Sequence, residues 1–386
     1  MSLARRHFLH LAGAAAVTPF LPRTSWAQAP VIGQPIAGKG LIVGRVSPLA
    51  AEAPLEGITT WITPNDRFPI LTSIAKAYPT TEPGDWRVTV EGNVEKPITL
   101  TYDQLRALPA HKVTAVLECA GNSRNSASPP LPRSFLNNGF VGNAEWTGVP
   151  LRVVLEQAGL KPGAVEIVLE GADRGTAPYA PAEANFAKSI PLEKAIHPDT
   201  LLVYGMNGAP LPREYGGPVR MIVPGWYATY HVKWLARVEV INRPFDGVFM
   251  TGSWRVRRNN AGVLRDEAVS EIAVKSLITS PASGAKLSAG PNVIRGVAWS
   301  GGKDVRSVRV STNAGATWQF ARLLDQHTPY SWRMWEMPWQ PAAAGSYTLM
   351  ARATDTSGAA QPFAYDFDLN GYEVNQVQPL KVDVAA

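Results

Sequence analysis

The chain has 386 residues, 45% of them apolar and only 18% charged, with 33 glycines and 33 prolines. That length suits two or three domains, and the apolar share excludes general disorder. Glycine and proline together exceed their usual share of about 12%, which favours short strands and turns over long helices. No apolar run of 18 or more residues follows the first thirty, so a polytopic membrane protein is excluded and no span is expected in the mature chain.

The N-terminus explains part of the charge. Arg5-Arg6 precede an apolar stretch from Leu11 to Val17 and the sequence Ala27-Gln28-Ala29. This reads as an export signal over residues 1–29, and the paired arginines point to the twin-arginine route into the periplasm. A general secretory signal is the alternative. Without Arg5, Arg6 and Arg23 the 37 basic residues fall to 34 against 31 acids, a net charge of +3. There is no basic run, so nucleic acid is not an expected partner.

Residues 30–57 are rich in Gly, Pro and Ala without a period and read as an extended arm. Trp86–Gly92 alternates like a strand, and Thr101–Leu108 reads as a short helix with Thr101 as N-cap. Val113–Glu118 is a strand that runs into Cys119-Ala120-Gly121-Asn122. Leu151–Ala158 is a helix stopped by Gly159, and Val165–Leu169 a strand stopped near Gly171-Ala172-Asp173. Further strands are expected at Leu201–Tyr204, Val219–Val223 and Val232–Ile241. This mixture has no βαβ rhythm, which argues against a doubly wound sheet. After about residue 265 the texture changes. Leu277–Ile278, Asn292–Ala298, Val305–Ser311, Trp318–Leu323, Tyr330–Met334, Gly345–Ala353 and Ala364–Asp368 read as strands of an immunoglobulin-type sandwich.

Cys119 is the sole cysteine, so no internal disulfide can form. Structural zinc is excluded as a cysteine site, since only His111, His197, His231 and His327 accompany it beyond the signal. A thiol where a strand meets a turn is either small buried filling or a functional group. Gly121 would let backbone approach a ligand, and Asn122 and Arg124 add donors. A second cluster holds Tyr215-Gly216-Gly217-Pro218-Val219-Arg220 and His231-Val232-Lys233-Trp234. Its arginine and lysine could hold a phosphate; the alternative is a surface turn with solvated charges. No G-x-G-x-x-G follows a strand and there is no Walker A pattern.

Taken together, Leu117-Glu118-Cys119-Ala120-Gly121-Asn122-Ser123-Arg124, Met206-Asn207-Gly208-Ala209-Pro210-Leu211-Pro212, Gly217-Pro218-Val219-Arg220 and Val232-Lys233-Trp234-Leu235 resemble the sulfite oxidase family of molybdopterin enzymes. Ser311–Trp318 resembles a signature in that family's dimerisation domain. No Cys-x-x-Cys-His for c-type haem is present, nor a cytochrome domain. The resemblance implies an α+β fold: a mixed sulfite-oxidase-type molybdopterin domain over residues 58–264, then an immunoglobulin-like dimerisation domain over residues 265–386. It implies a Mo-molybdopterin cofactor ligated by Cys119, with Asp173, Tyr215, Arg220, His231, Val232 and Lys233 as cofactor-binding positions. A thiolate suits a metal already bound by dithiolene sulfurs. The implied chemistry is oxygen-atom transfer to a small substrate, probed at Cys119 and Trp254. Electrons would pass to an external cytochrome c or similar carrier, from a homodimer.

Two departures fall on the substrate side. The family commonly follows Thr-Pro-Asn-Asp with a few apolar residues and then Arg-Asn-His, the arginine lying in the substrate anion pocket. Here Thr63-Pro64-Asn65-Asp66 is followed at those positions by Leu71-Thr72-Ser73, and Arg67 lies four residues too early. The family's active-site tyrosine aligns with Trp254, which keeps aromatic bulk but offers one N–H donor and no acceptor. A catalytically silent binding module, or an oxide reductase working in the opposite direction, are the other readings.

Overall fold

A computed structural model describes residues 29–74, 77–177, 182–260 and 262–385. The expected export signal therefore lies outside the described residues, apart from Ala29. The described chain is built mostly of strands, with four short α-helices among the described residues. Helix is scarcer than a mixed α+β reading suggests, because the many Gly and Pro residues interrupt it. No helix among the described residues is long and apolar enough to cross a membrane.

The two longest helices form where expected. Tyr102–Ala107 starts at Thr101, whose hydroxyl accepts from the Gln104 N–H while the Gln104 side chain accepts from the Thr101 N–H. Leu151–Ala158 buries Leu151, Val154, Leu155 and Ala158 on one face and ends at Gly159, which has φ of 72°.

Two five-stranded sheets carry the first two-thirds of the chain. One orders Ile98–Thr101, Arg87–Gly92, Leu235–Ile241, Glu166–Gly175 and Ala184–Pro191. The other orders Ala209–Pro210, Leu201–Met206, Val141–Pro150 and His111–Glu118, with Arg220–Ile222 also paired to Leu201–Met206. A core of Val88, Val90, Leu155, Leu169, Leu202, Met221 and Leu235 packs between them, with the helix Leu151–Ala158. Strand Glu166–Gly175 runs past its expected stop at Gly171; its register with Ala184–Pro191 shifts between Glu170 and Arg174, at Asp173.

The segment read as an extended arm is extended but paired. Ile42–Arg45 and Ala50–Glu52 form a three-stranded antiparallel sheet with Ile70–Leu71. Its apolar side, including Leu41, Val43, Ala51 and Ile70, packs on Ala115, Trp146 and Val203. Those few buried side chains were hidden among glycines and prolines, so no period betrayed them.

Beyond residue 268 two antiparallel-dominated sheets share one core. Lys275–Ser280, Asn292–Trp299, Arg333–Trp339 and Arg322–Leu323 make one; Lys286–Leu287, Leu380–Val384, Gly345–Asp355, Val305–Ser311 and Gln319–Phe320 make the other. Ile278, Ile294 and Trp335 meet Val308, Leu349 and Ala353 between them. The expected strand at Ala364–Asp368 is instead a loop and a 3₁₀ turn, Phe367–Leu369, begun by the Asp366 side chain accepting from the Asp368 N–H. A further apolar cluster of Val116, Val141, Tyr227, Leu277, Trp299 and Trp332 joins the two parts of the molecule. Trp61 and Trp332 each donate their indole N–H to the other's backbone carbonyl, at 3.1 and 2.7 Å.

Candidate functional site

Strand His111–Glu118 delivers Cys119 to the mouth of a turn, where the Cys119 N–H donates to the Phe140 carbonyl at 3.0 Å. The thiol opens onto a cleft of about 800 Å³. The cleft brings together every residue singled out for the cofactor or for chemistry: Cys119, Asp173, Tyr215, Arg220, His231, Val232, Lys233 and Trp254. They come from elements up to 135 positions apart in the chain.

One flank of the cleft is cationic. Arg220 is 3% exposed and is held by part of its N–H set, donating to Tyr215 O at 2.6 Å and His231 O at 2.9 Å and leaving other N–H groups for a ligand. Lys233 donates to Glu214 O at 2.8 Å, and burial pushes its ammonium down to about 7. No carboxylate lies within ion-pair distance of either among the described residues. Burying two cations without anions is costly unless a ligand supplies the charge. Asp173 completes the flank. Burial raises its carboxyl to about 7 against the pull of Lys233, and its Oδ1 is buried without a hydrogen-bond partner. Gly216 makes the flank compact: it has φ of 104°, and a Cβ there would lie 2.8 Å from the Lys233 Cβ.

Three side chains sit differently from the sequence reading. The Tyr215 hydroxyl lies 2.6 Å from Asn65 O and 2.8 Å from Phe68 O, so its single proton is already committed to backbone and the side chain braces the loop before Leu71. His231 is neutral: burial and then Arg220 drive its pKa down to about 3. Its Nε2 donates to Trp226 O at 3.0 Å and its Nδ1 accepts from the Val223 N–H at 3.4 Å, an assignment fixed by the backbone partners. Both ring nitrogens are thereby occupied, and His231 serves the flank through its carbonyl on Arg220. Gly121 packs closely beside Leu136: a Cβ there would lie 2.6 Å from Leu136 Cδ1, so that side chain would have to move. Arg124 turns to the Gly371 carbonyl and does not line the cleft.

Much of the remaining lining is apolar: Phe68, Pro69, Leu71, Phe140, Phe186 and Trp254. Trp254 has φ of 54°, a left-handed conformation that costs a bulky residue energy. It packs edge-on to Phe186 with centroids 5.8 Å apart, above the Lys188 ammonium at 5.1 Å. Arg67 is no substitute for a cation at position 71: it lies against Gly40 at a separate, smaller recess. Thr72 and Trp234, named in sequence only as members of their motifs, also line the cleft, together with Thr229, which sequence reasoning missed; Thr72 and Thr229 each hold a buried hydroxyl without a partner. Thr229 lies outside those motifs, so no signal marked it.

The arrangement suits a large anionic cofactor with its own metal donors. Among the described residues no three His, Cys, Asp or Glu side chains cluster to hold a metal, so Cys119 would be a single protein ligand. The unpaired cations fit a phosphate, and the orphaned Asp173 oxygen fits a hydrogen-bond donor on a heterocycle.

Comparison with known proteins agrees. Residues 75–249 match the family model described as an oxidoreductase molybdopterin binding domain, and residues 266–384 match that of a Mo-co oxidoreductase dimerisation domain. The chain is 34% identical to sulfite oxidase of Gallus gallus over 362 residues, covering 88% of this chain and 77% of that protein. It is 34% identical to mitochondrial sulfite oxidase of Mus musculus, over 87% of this chain and 64% of that protein. The sulfane dehydrogenase SoxCD of Paracoccus pantotrophus superposes with a TM-score of 0.77 at 27% identity, over 96% of this chain and 92% of that one.

The fold and cleft are those of a molybdopterin oxidoreductase, with Mo-molybdopterin as cofactor. Within that class, the chain belongs to the sulfite oxidase family.

Proposed function

We propose that this protein is a periplasmic, homodimeric oxidoreductase that transfers oxygen to a small sulfur-containing substrate of low charge and passes electrons to an external cytochrome c or similar carrier. One observation carries the substrate reading: the Cys119 thiol shares a cleft with the cations Arg220 and Lys233 and with apolar lining that includes Leu71 and Trp254. The likeness to a sulfane dehydrogenase supports a sulfur substrate other than a free oxyanion.

When bound, the molybdenum cofactor supplies the two-electron oxygen-atom chemistry. This chain's residues hold and shield it. Cys119 would ligate the metal as a thiolate; unligated, burial pushes the thiol up to about 11, so metal binding must displace its proton. Arg220 and Lys233 would take the phosphate, and Asp173 a polar edge of the pterin. Phe68, Leu71, Phe186 and Trp254 exclude water from the substrate side. The two C-terminal sheets fit an immunoglobulin-like sandwich that pairs two chains about a two-fold axis. Domain limits at residues 58–264 and 265–386 follow from that reading, and export by the twin-arginine route would bring a folded, loaded enzyme to the periplasm.

A panel of sulfite, thiosulfate and sulfane-bearing thiols with an artificial electron acceptor, run on metal-replete protein, tests this. Turnover confined to the less charged sulfur compounds is expected. Sulfite as the strongly preferred substrate would overturn it.

A further inference from the structure

Position 71 has an electrostatic counterpart two strands away. In the N-terminal three-stranded sheet Arg45 pairs with Ala50, and Ala50 pairs with Leu71, so Arg45 and Leu71 lie in one cross-strand row. The Arg45 guanidinium reaches along that row behind the cleft wall. Its Nη2 donates to Thr72 O at 2.6 Å and its Nε to Pro48 O at 2.7 Å, and it stacks 4.6 Å from the Phe135 ring. Leu71, Thr72 and Ser73 line the cleft, whereas Arg45 does not. No carboxylate lies within ion-pair distance of Arg45 among the described residues. Burial lowers the pKa of the guanidinium. An arginine keeps its proton through such a shift.

From this row we infer that Arg45 is a positioning residue that replaces, from behind the wall, the cation absent at position 71. It fixes the Leu71–Ser73 backbone through the Thr72 carbonyl. It also places an unpaired positive charge directly behind Thr72 in the cleft wall while presenting no N–H fork to substrate. The field would favour electron gain at the metal without rewarding an oxyanion substrate, since a forked arginine contact is what selects such anions. This rests on Cys119 ligating the molybdenum centre, as proposed above.

The test compares Arg45→Met, Arg45→Lys and unsubstituted holoprotein. Molybdenum content is measured first, then the one-electron midpoint of the metal by redox titration followed by electron paramagnetic resonance. Arg45→Met should lower the reduction equilibrium constant about threefold, roughly 28 mV at 59 mV per tenfold. Arg45→Lys should recover most of that shift although it loses the fork. A purely structural Arg45 would weaken folding in both variants and leave the midpoint alone. Equal midpoints in loaded Arg45→Met and unsubstituted protein overturn the inference. If Arg45→Met does not load, Arg45→Gln against Arg45→Lys makes the same comparison, and equal midpoints there overturn it too. Absence of molybdenum from the unsubstituted protein is a different failure, that of the enzyme reading itself.

Discussion

Glu118 and Lys275 form an ion pair 2.9 Å long, each 2% exposed, that ties the residue before Cys119 to the first strand of the C-terminal part. Asn122 and the Trp299 indole donate to the same carboxylate at 3.0 and 2.8 Å. Both carboxylate oxygens of Glu118 are thus met by donors from both halves of the molecule. The turn that aims Cys119 is anchored on the C-terminal sheets, so the site and those sheets are mechanically one.

Removing one member of that pair leaves a buried, unpaired charge. Lys275→Met should destabilise the protein by about 3–5 kcal/mol, and adding Glu118→Gln should recover part of the loss. Chemical denaturation of the three variants measures this.

Much of this arrangement was legible beforehand, and the reasons are physical. Thr101 and Gln104 announce a helix start through their own side chains, and Gly159 announces a stop. Of the eight candidate residues, Cys119 and the Tyr215–Arg220 and His231–Lys233 cluster drew notice locally, beside glycines, turns and strand ends, whereas Asp173 and Trp254 came only from the family resemblance. The N-terminal sheet was not, because Ile42–Arg45 and Ala50–Glu52 are three or four residues long and find their partner at Ile70–Leu71. Nor could sequence show that Tyr215 and His231 commit their polar atoms to backbone carbonyls and amides, since those partners are set by tertiary contact.

Arg220 and Lys233 should govern cofactor retention. A charge-assisted hydrogen bond contributes about 1.5–3 kcal/mol, so Lys233→Met should weaken cofactor affinity roughly 10–150-fold. Pterin released per chain after dilution and gel filtration reads this out, with folding checked by circular dichroism.

Lys188 carries a pH signature. It is fully buried, donates to Phe249 O at 2.8 Å, and burial and then Arg255 lower its pKa from 10.5 to about 7. Between those values the unfolded chain holds a proton that the folded chain has lost. Stability from this group therefore falls as pH drops from about 10.5 to 7 and rises in the other direction. Lys188→Met should flatten that rise, measured as unfolding free energy across the window.

Leu71→Arg should restore a forked cation to the apolar wall. Gaining a desolvated contact of about 1.5–3 kcal/mol, sulfite KM should fall roughly tenfold or more. Steady-state kinetics on both proteins checks it; a native KM already micromolar, with no gain in the variant, would mean another anion site exists.

The central claim, that Cys119 holds the metal of a working molybdopterin enzyme, is tested most directly by metal and pterin content. Protein purified from a pterin-competent host should carry about one molybdenum and one pterin per chain, while Cys119→Ser should keep part of the pterin through Arg220 and Lys233 and lose all turnover. Native protein without molybdenum under those conditions, or an active serine variant, would contradict the account.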